Sequence, residues 1–299
     1  MTLLKYSLAA FFGMGTLTVG WAVAIRKTLT RSAWFFLAGG VAIAAVAVDA
    51  LIIEPNWIQV RKVVIHDAEL APALKDLKIV QITDIHMTKG LSSRERQLIR
   101  KVNALKPDLI FFTGDIIDDL AQVGPANELL RSLKASIGVY GVPGNTDHIV
   151  MNSQAFVQAF ASSHMDTLVN EGRRVLLPNG YILWLLGIDD PKYHYGNLKQ
   201  TLRGIPEGTP TLLLAHCPDI FEDAAREKIN LVLAGDTHGG QVAIDFLIRM
   251  SDYANRTPYM RGLFERGKTK MYVNRGIGTK TLPIRFLCRP EISVIQVKP

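Results

Sequence analysis

Two long apolar runs open the chain, and shorter apolar runs broken by polar clusters fill the rest. Tyr6 to Ile25 carries no charge and has the length of a helix that crosses a bilayer core. Ser32 to Ile53 is the second run, with Asp49 as its only charge. Arg26-Lys27-Thr28-Leu29-Thr30-Arg31 lies between them. The pattern predicts a transmembrane helical hairpin over residues 1–53, with helices at about 6–25 and 32–53. A signal peptide cleaved after Ala22-Val23-Ala24 accounts for the first run but not the second, so the hairpin is the preferred reading.

Residues 54–77, with Pro55, Trp57 and Pro72, read as a juxtamembrane connector, Trp57 suiting the membrane interface. From Lys78 the period changes. Lys78–Thr83, Leu109–Phe112 and Ile137–Val142 read as buried strands. Between them lie helical stretches, the first capped at Ser92 or Ser93 with Glu95 placed for a capping box, the second over 125–136. A helix follows at 153–162. Tyr181–Ile188, Thr211–Ala215, Leu231–Ala234, Met271–Asn274 and Ile292–Val297 are further strands, now with fewer helices between them. The β-α-β-α-β order of the first half predicts parallel pairing, and the later strands a second, mixed sheet. The predicted fold is α/β: an α-β-β-α sandwich of two sheets, one domain over residues 78–299.

Charge and composition narrow the partners. The chain has 299 residues, a formal net charge of +7 and 48% hydrophobic residues. The positive balance beside apolar helices suits anionic lipid headgroups. No basic patch interleaved with aromatics is present, so nucleic acid is not expected. The basic turn at 26–31 leans the large domain towards the non-cytoplasmic side, against the opposing Lys5, Arg61 and Lys62. Cys217 and Cys288 are too few for a disulfide framework or a Cys-x-x-Cys metal knuckle.

Five polar motifs follow apolar runs in one order: Asp84-Ile85-His86, Gly114-Asp115, Gly144-Asn145-Thr146-Asp147, Ala215-His216-Cys217-Pro218 and Gly235-Asp236-Thr237-His238-Gly239-Gly240. Their carboxylate, imidazole and amide groups are metal ligands, each where a buried strand meets solvent. Each motif alone has an ordinary explanation as a turn, a cap or a core histidine. Together they are the inventory for two cations about 3.5–4 Å apart, which activate a water and neutralise phosphoryl oxygens.

The series resembles the calcineurin-like metallophosphoesterase superfamily, whose motifs are Asp-x-His, Gly-Asp-x-x-Asp, Gly-Asn-His-Asp/Glu, a lone His and Gly-His-x-His. The second is met by Gly114-Asp115-Ile116-Ile117-Asp118. The resemblance implies a first metal held by Asp84, His86, Asp115 and His238, and a second by Asp115, Asn145, His216 and Asp236, with Asp115 shared. Mn²⁺ is favoured, with Fe, Mg²⁺ and Zn²⁺ as alternatives. Thr237-His238-Gly239-Gly240-Gln241, Asn274-Arg275-Gly276-Ile277-Gly278 and Cys288-Arg289-Pro290-Glu291 are similar to a membrane-anchored bacterial branch. That branch includes phosphoesterases of envelope lipids, one of which cleaves the pyrophosphate of UDP-2,3-diacylglucosamine.

Two positions depart from the family pattern. Thr146 replaces a histidine that contacts the phosphoryl or leaving group, and Asp147 and His148 are the nearby candidates for that catalytic part. Asp236 replaces the first histidine of Gly-His-x-His, adding charge and a harder donor. The segment 242–270 mixes aromatics with Arg249, Arg256 and Arg261, which suit the phosphate of a phosphorylated amphiphile. The expected function is a hydrolase of a phosphodiester or pyrophosphate bond, anchored in a bacterial inner or cell membrane and partnered by membrane lipids. The alternative is a degenerate phosphoesterase that binds or senses a ligand.

Overall fold

A computed structural model describes residues 30–244 and 257–299. Helix α1 (Arg31–Val48) starts at Thr30, whose Oγ1 accepts from Ala33 N, and its last turns, Asp49–Ile53, wind with the wider π spacing. Residues Ser32–Asn56 form the one helical stretch, among the described residues, long and apolar enough to cross a membrane, with a mean hydropathy of 2.4. Trp34, Phe35, Phe36 and Ile43 on it are exposed. The first helix expected at 6–25 lies outside the described residues, so of the expected hairpin only the second arm is seen.

Residues 55–299 form a second compact unit of two sheets. In the first, β1 (Gln59–His66), β12 (Glu291–Lys298), β2 (Ile79–Ile82), β3 (Leu109–Thr113), β4 (Gly138–Val142) and β5 (Met165–Thr167) lie side by side in that order. The second runs β10 (Gly262–Arg266), β11 (Thr269–Val273), β9 (Leu231–Ala234), β8 (Thr211–Leu214), β7 (Ile182–Gly187) and β6 (Glu171–Leu176). Strands β2 to β5 are mutually parallel, as are β7, β8, β9 and β11; β12 on β2, β10 on β11 and β6 on β7 are antiparallel.

Side chains alternate between faces along a strand, and this alternation builds the layers. Leu109 and Phe111 of β3 point inward to meet Leu185, Leu212 and Leu233 of the second sheet, all fully buried. Ile110 and Phe112 point outward against Leu98 of α2 (Ser93–Leu105), Leu129 of α3 (Val123–Ser132) and Phe156 of α4 (Ser153–Phe160). Leu213 and Val232 pack outward on Phe221 and Ala224 of α5 (Phe221–Arg226). The α-β-β-α sandwich is therefore observed, and the capping box at Ser92 with Glu95 is formed.

The connector expected at 54–77 belongs instead to the fold. Strand β1 pairs in parallel with β12 from Gln59↔Glu291 to His66↔Lys298, and Ile65, Leu70 and Leu74 are fully buried. Arg61 and Lys62 on this edge strand interrupt the apolar alternation that would have revealed it. Trp57 is half-exposed and lies under Arg289, whose Cζ is 3.7 Å from the ring centre. The carboxyl ends of β2, β3, β4, β8 and β9 open onto one edge of the sandwich, where polar loops can converge.

Candidate metal centre

The loops leaving these strands place the seven expected ligands together, and five of the seven are in the left-handed backbone region. Their φ values are 51° at Asp84, 49° at His86, 53° at Asp115, 66° at Asp236 and 51° at His238. Such a conformation costs energy for residues with a Cβ and persists where surroundings over-determine it. Here loop-to-loop hydrogen bonds do so. Asp84 N donates to Gly114 O (3.0 Å), His86 N to Asp115 O (3.1 Å), Gly235 N to His216 O (2.9 Å) and Ile277 N to Thr83 O (3.0 Å). Gly114 (φ 87°) and Gly144 must lack side chains: a Cβ on the first would overlap the His216 ring, and one on the second the Asp115 carboxylate.

The ligand atoms of Asp84, His86 and His238 lie within 4.8 Å of one another, as do those of Asp84, Asp115 and His216. Asp115 Oδ2 is 3.4 Å from His86 Nε2 and 3.4 Å from His216 Nε2, so one oxygen faces both groups. His238 Nε2 is 3.4 Å from Asp84 Oδ1 and 3.1 Å from His86 Nε2. His216 Nε2 is 3.0 Å from Asn145 Oδ1 and 3.5 Å from Asp236 Oδ1.

The donor chemistry fits cations. His216 Nδ1 is 2.8 Å from Thr113 O, a carbonyl that can only accept, so the proton sits on Nδ1 and the Nε2 lone pair faces the cluster. That lone pair meets an amide oxygen and carboxylate oxygens. His86 is set the same way, with Nδ1 on Asp118 Oδ1 at 2.6 Å. Asp84 Oδ1 is buried and has no hydrogen-bond partner among the described residues. Converging lone pairs of this kind are stable around positive charge. With its oxygen towards His216 the Asn145 amide offers a ligand; turned over, its nitrogen would donate to His216 Nε2 and Asp236 Oδ1 at 3.0 and 2.9 Å and its oxygen would accept from Lys280 Nζ at 3.1 Å.

The electrostatics agree. Burial would raise the Asp115 carboxyl, but His216, His86 and Lys280 outweigh it and hold it well below the usual range. Burial likewise opposes ionisation of Asp236, and His216 and Lys192 hold its pKa down. Burial alone would lower His216, yet the surrounding carboxylates push it well above the ordinary histidine value. A proton and a divalent ion thus compete for the same Nε2. Burial, and then the neighbouring His86 and Arg285, push His238 well below the ordinary histidine value.

The catalytic candidates fall elsewhere. Asp147 is the third residue of a short helix (Asn145–Val150), and its carboxylate accepts from Gly144 N (2.9 Å), Ile116 N (3.0 Å) and Ile117 N (3.2 Å). It ties the Asp115 loop to the Asn145 loop, which gives it a positioning part. Burial, and then the Asp115 charge, push its pKa up to about 7. His148 makes two contacts of its own. Its Nε2 pairs with Asp189 Oδ1 at 2.6 Å and its ring stacks on Tyr195 at 4.5 Å. Arg249 and Arg256 lie outside the described residues. Arg261 Nη1 donates to Gly239 O (2.8 Å) and so braces the His238 loop.

Two further side chains at the site, Lys192 and Lys280, carried no local signal. Lys192 Nζ reaches Asp236 Oδ1 at 3.0 Å, and Lys280 Nζ reaches Thr146 Oγ1 at 2.7 Å and Asp115 Oδ2 at 3.5 Å. The segment Asn274–Gly278 buttresses Asp84, with Gly278 N donating to Asp84 O (2.6 Å). Asn274 Nδ2 donates to Ser293 Oγ (2.7 Å), which donates to Glu291 Oε1 (2.6 Å), so the C-terminal motifs brace the ligand loops from behind. Beside His86 opens a cavity of about 450 Å³ with Thr88, Lys89, Ser92, Arg94 and Thr281 in its wall.

Known proteins are similar to this chain. Residues 77–240 match the family model described as calcineurin-like phosphoesterase. The uncharacterized metallophosphoesterase YkuE of Bacillus subtilis (strain 168) is 32% identical over 250 residues, 82% of this chain and 87% of that protein. A transmembrane protein with metallophosphoesterase domain from Bos taurus is 30% identical over 265 residues, 82% of this chain but 58% of that longer protein. Among solved structures, the phosphopantetheinyl hydrolase of Mycobacterium tuberculosis superposes with a TM-score of 0.43 at 11% identity, over 70% of this chain and 94% of that one.

Proposed function

The chain belongs to the calcineurin-like phosphoesterases, metal-dependent phosphoester hydrolases, and from that premise we propose a membrane-anchored enzyme that cleaves a phosphodiester or pyrophosphate bond in an amphiphilic, cell-envelope substrate. UDP-2,3-diacylglucosamine is one candidate, and Mn²⁺ is the ion of choice for a donor set of carboxylates, imidazoles and an amide. The observation that carries the reading is Asp115 Oδ2, 3.4 Å from the lone-pair nitrogens of both His86 and His216.

Asp84, His86, Asp115 and His238 would hold one ion, and Asp115, Asn145, His216 and Asp236 the other. Such a pair supplies nucleophile activation and charge neutralisation. The chain's own contribution is preorganisation. Thr146 fixes both oxygens of Asp115, Oδ1 through its backbone N–H and Oδ2 through its hydroxyl, at 2.7 Å each. Thr113 O fixes the His216 ring and Asp118 that of His86. The cavity beside His86 is lined by hydroxyls, Lys89 and an Arg94–Glu95 pair together with Leu282 and Pro283, a mixed wall that suits the polar part of an amphiphile. The exposed apolar helix supports lipid as the partner and the membrane as the location. A two-pass anchor with the domain on the non-cytoplasmic side completes the proposal, resting on the basic turn at 26–31.

The test is hydrolysis by the purified full chain loaded with Mn²⁺, on bis-p-nitrophenyl phosphate and on a panel of nucleotide-sugar lipids and simple phosphodiesters. Activity is expected with the ion, none after chelation, and none in Asp115→Ala. Turnover that survives both chelation and this substitution ends the reading, as does metal-loaded protein inactive across the panel.

A further inference from the structure

Lys280 meets the cluster from the solvent side. Its side chain is about a quarter exposed, and its Nζ lies 2.7 Å from Thr146 Oγ1 and 3.5 Å from Asp115 Oδ2. The Thr146 hydroxyl gives its proton to Asp115 Oδ2 at 2.7 Å, so its oxygen accepts from Lys280. The ammonium is therefore held at the shared carboxylate in two ways, through the Thr146 hydroxyl and through its own 3.5 Å contact with Asp115 Oδ2.

The backbone beneath it is fixed. Lys280 N donates to Gln241 Oε1 (2.7 Å) and Lys280 O accepts from Gln241 Nε2 (3.0 Å). The fully buried Arg285 clamps the same loop through Gly278 O (3.0 Å), Arg275 O (2.9 Å) and Cys288 O (3.0 Å). A lysine placed by side-chain clamps on its own peptide, with only its tip at the cluster, is built to present charge at one spot.

The chemistry asks for charge there. A phosphoryl group in transfer spreads negative charge over three equatorial oxygens, and stabilisation comes from cations and donors aimed at them beforehand. A cation on Asp115 Oδ2 would repel the ammonium from that oxygen while Thr146 keeps it tethered at the rim. An ammonium has three N–H donors; Thr146 takes one, and the donor now on Asp115 Oδ2 is released when a cation takes that oxygen.

We propose that Lys280 is a catalytic residue that binds a non-bridging oxygen of the phosphoryl group, at the position where Thr146 departs from the family's histidine. The inference rests on the hydrolase reading but is tested apart from it. Full-length wild type, Lys280→Ala, Lys280→Gln and Lys280→Arg are loaded with Mn²⁺. Bound Mn²⁺ is counted by electron paramagnetic resonance, inorganic phosphate affinity is measured by calorimetry, and kcat and KM are measured on bis-p-nitrophenyl phosphate. Lys280→Ala should keep the wild-type Mn²⁺ count, lose at least about tenfold in phosphate affinity and lose on the order of 10²-fold in kcat. Lys280→Arg should keep phosphate affinity within about threefold of wild type, since its guanidinium still binds phosphate. If the alanine variant fails to fold, Lys280→Gln decides in its place. Phosphate affinity unchanged in the alanine or glutamine variant overturns the proposal, and so does a lower Mn²⁺ count, which would make Lys280 a support of the ligand set. A wild type that binds Mn²⁺ and phosphate without turnover fails the hydrolase reading, while the phosphate titration still judges Lys280.

Discussion

Lys192 Nζ lies 3.0 Å from Oδ1 and 3.4 Å from Oδ2 of Asp236, joining residues 44 positions apart in the chain. Asp236 stands where the family pattern has a neutral histidine, and the lysine cancels the charge that the aspartate adds. The pair thereby keeps the charge near the second ion close to that of a histidine ligand. Asp236→His should weaken Mn²⁺ binding about tenfold or more, because Lys192 is left as an uncompensated neighbour. Adding Lys192→Ala should restore most of it. The double-mutant cycle is expected to show a coupling of about 1–3 kcal/mol in Mn²⁺ affinity, read by paramagnetic resonance titration. Additive effects would mean that the two residues act independently.

The domain boundary gives a second prediction. Residues 55–299 contain both sheets and all three apolar clusters, whereas a start at 78 removes β1 and its eight-residue pairing with β12. It also removes Ile65, Leu70 and Leu74, each fully buried and each worth about 2–5 kcal/mol when truncated to alanine. A 55–299 fragment should be soluble without detergent, melt cooperatively by circular dichroism and hydrolyse a soluble aryl phosphodiester. A 78–299 fragment should not fold. A cooperative melt of the shorter fragment would refute the assignment of β1 to the domain.

That contrast shows which features can be read from sequence. The ligands are legible because each polar motif interrupts an apolar strand at its carboxyl end, a signal local in sequence. β1 is not, because Arg61 and Lys62 sit on an edge strand. β6 and β10 escape detection for a related reason: each mixes exposed charges into a short strand. Lys192 and Lys280 sit in loops with no periodic context, and only closure of the tertiary structure brings them to the cluster. The contacts of Asp147 and His148 are not legible because Gly144–Asp147 has the composition of a turn, whereas a helix begins at Asn145. At about 100° per residue, that helix swings Asp147 back over the Gly144 N–H and His148 away towards Asp189.

The His148–Asp189 pair predicts a pH dependence of stability. Both side chains are buried, and Ser153 Oγ donates to the second Asp189 oxygen at 2.6 Å. Burial opposes His148 protonation, but the Asp189 hydrogen bond and charge raise its pKa above the ordinary value. Its contribution is therefore complete below about pH 6.5 and is lost as pH rises through the raised folded value. For Asp189, burial is outweighed by the hydrogen bonds from His148 and Ser153, and its pKa is lowered. That contribution is present above about pH 4 and is lost as pH falls through the depressed value. Asp189→Asn should cost about 1–3 kcal/mol at pH 6 and clearly less at pH 9, by urea denaturation. Equal losses at the two pH values would show that the pair is neutral in the folded protein.

The last prediction separates positioning from catalysis at Asp147. Its carboxylate accepts from three backbone amides on two ligand loops. Asp147→Ala would orphan buried N–H groups at Gly144, Ile116 and Ile117, at about 1–3 kcal/mol each before relaxation. It should lower Tm strongly and weaken Mn²⁺ binding, since Asp115 and Asn145 lose their common tie. Asp147→Asn keeps one oxygen acceptor and loses the other, so Gly144 N then faces an amide nitrogen. It should lower Tm by a few degrees while leaving kcat within about tenfold of wild type at saturating Mn²⁺. A general acid or base in the same place would behave in the opposite way: the isosteric asparagine would melt like wild type and lose about 10²–10⁴ in kcat. Measuring Tm by calorimetry and kcat at saturating ion on the same two variants decides between them.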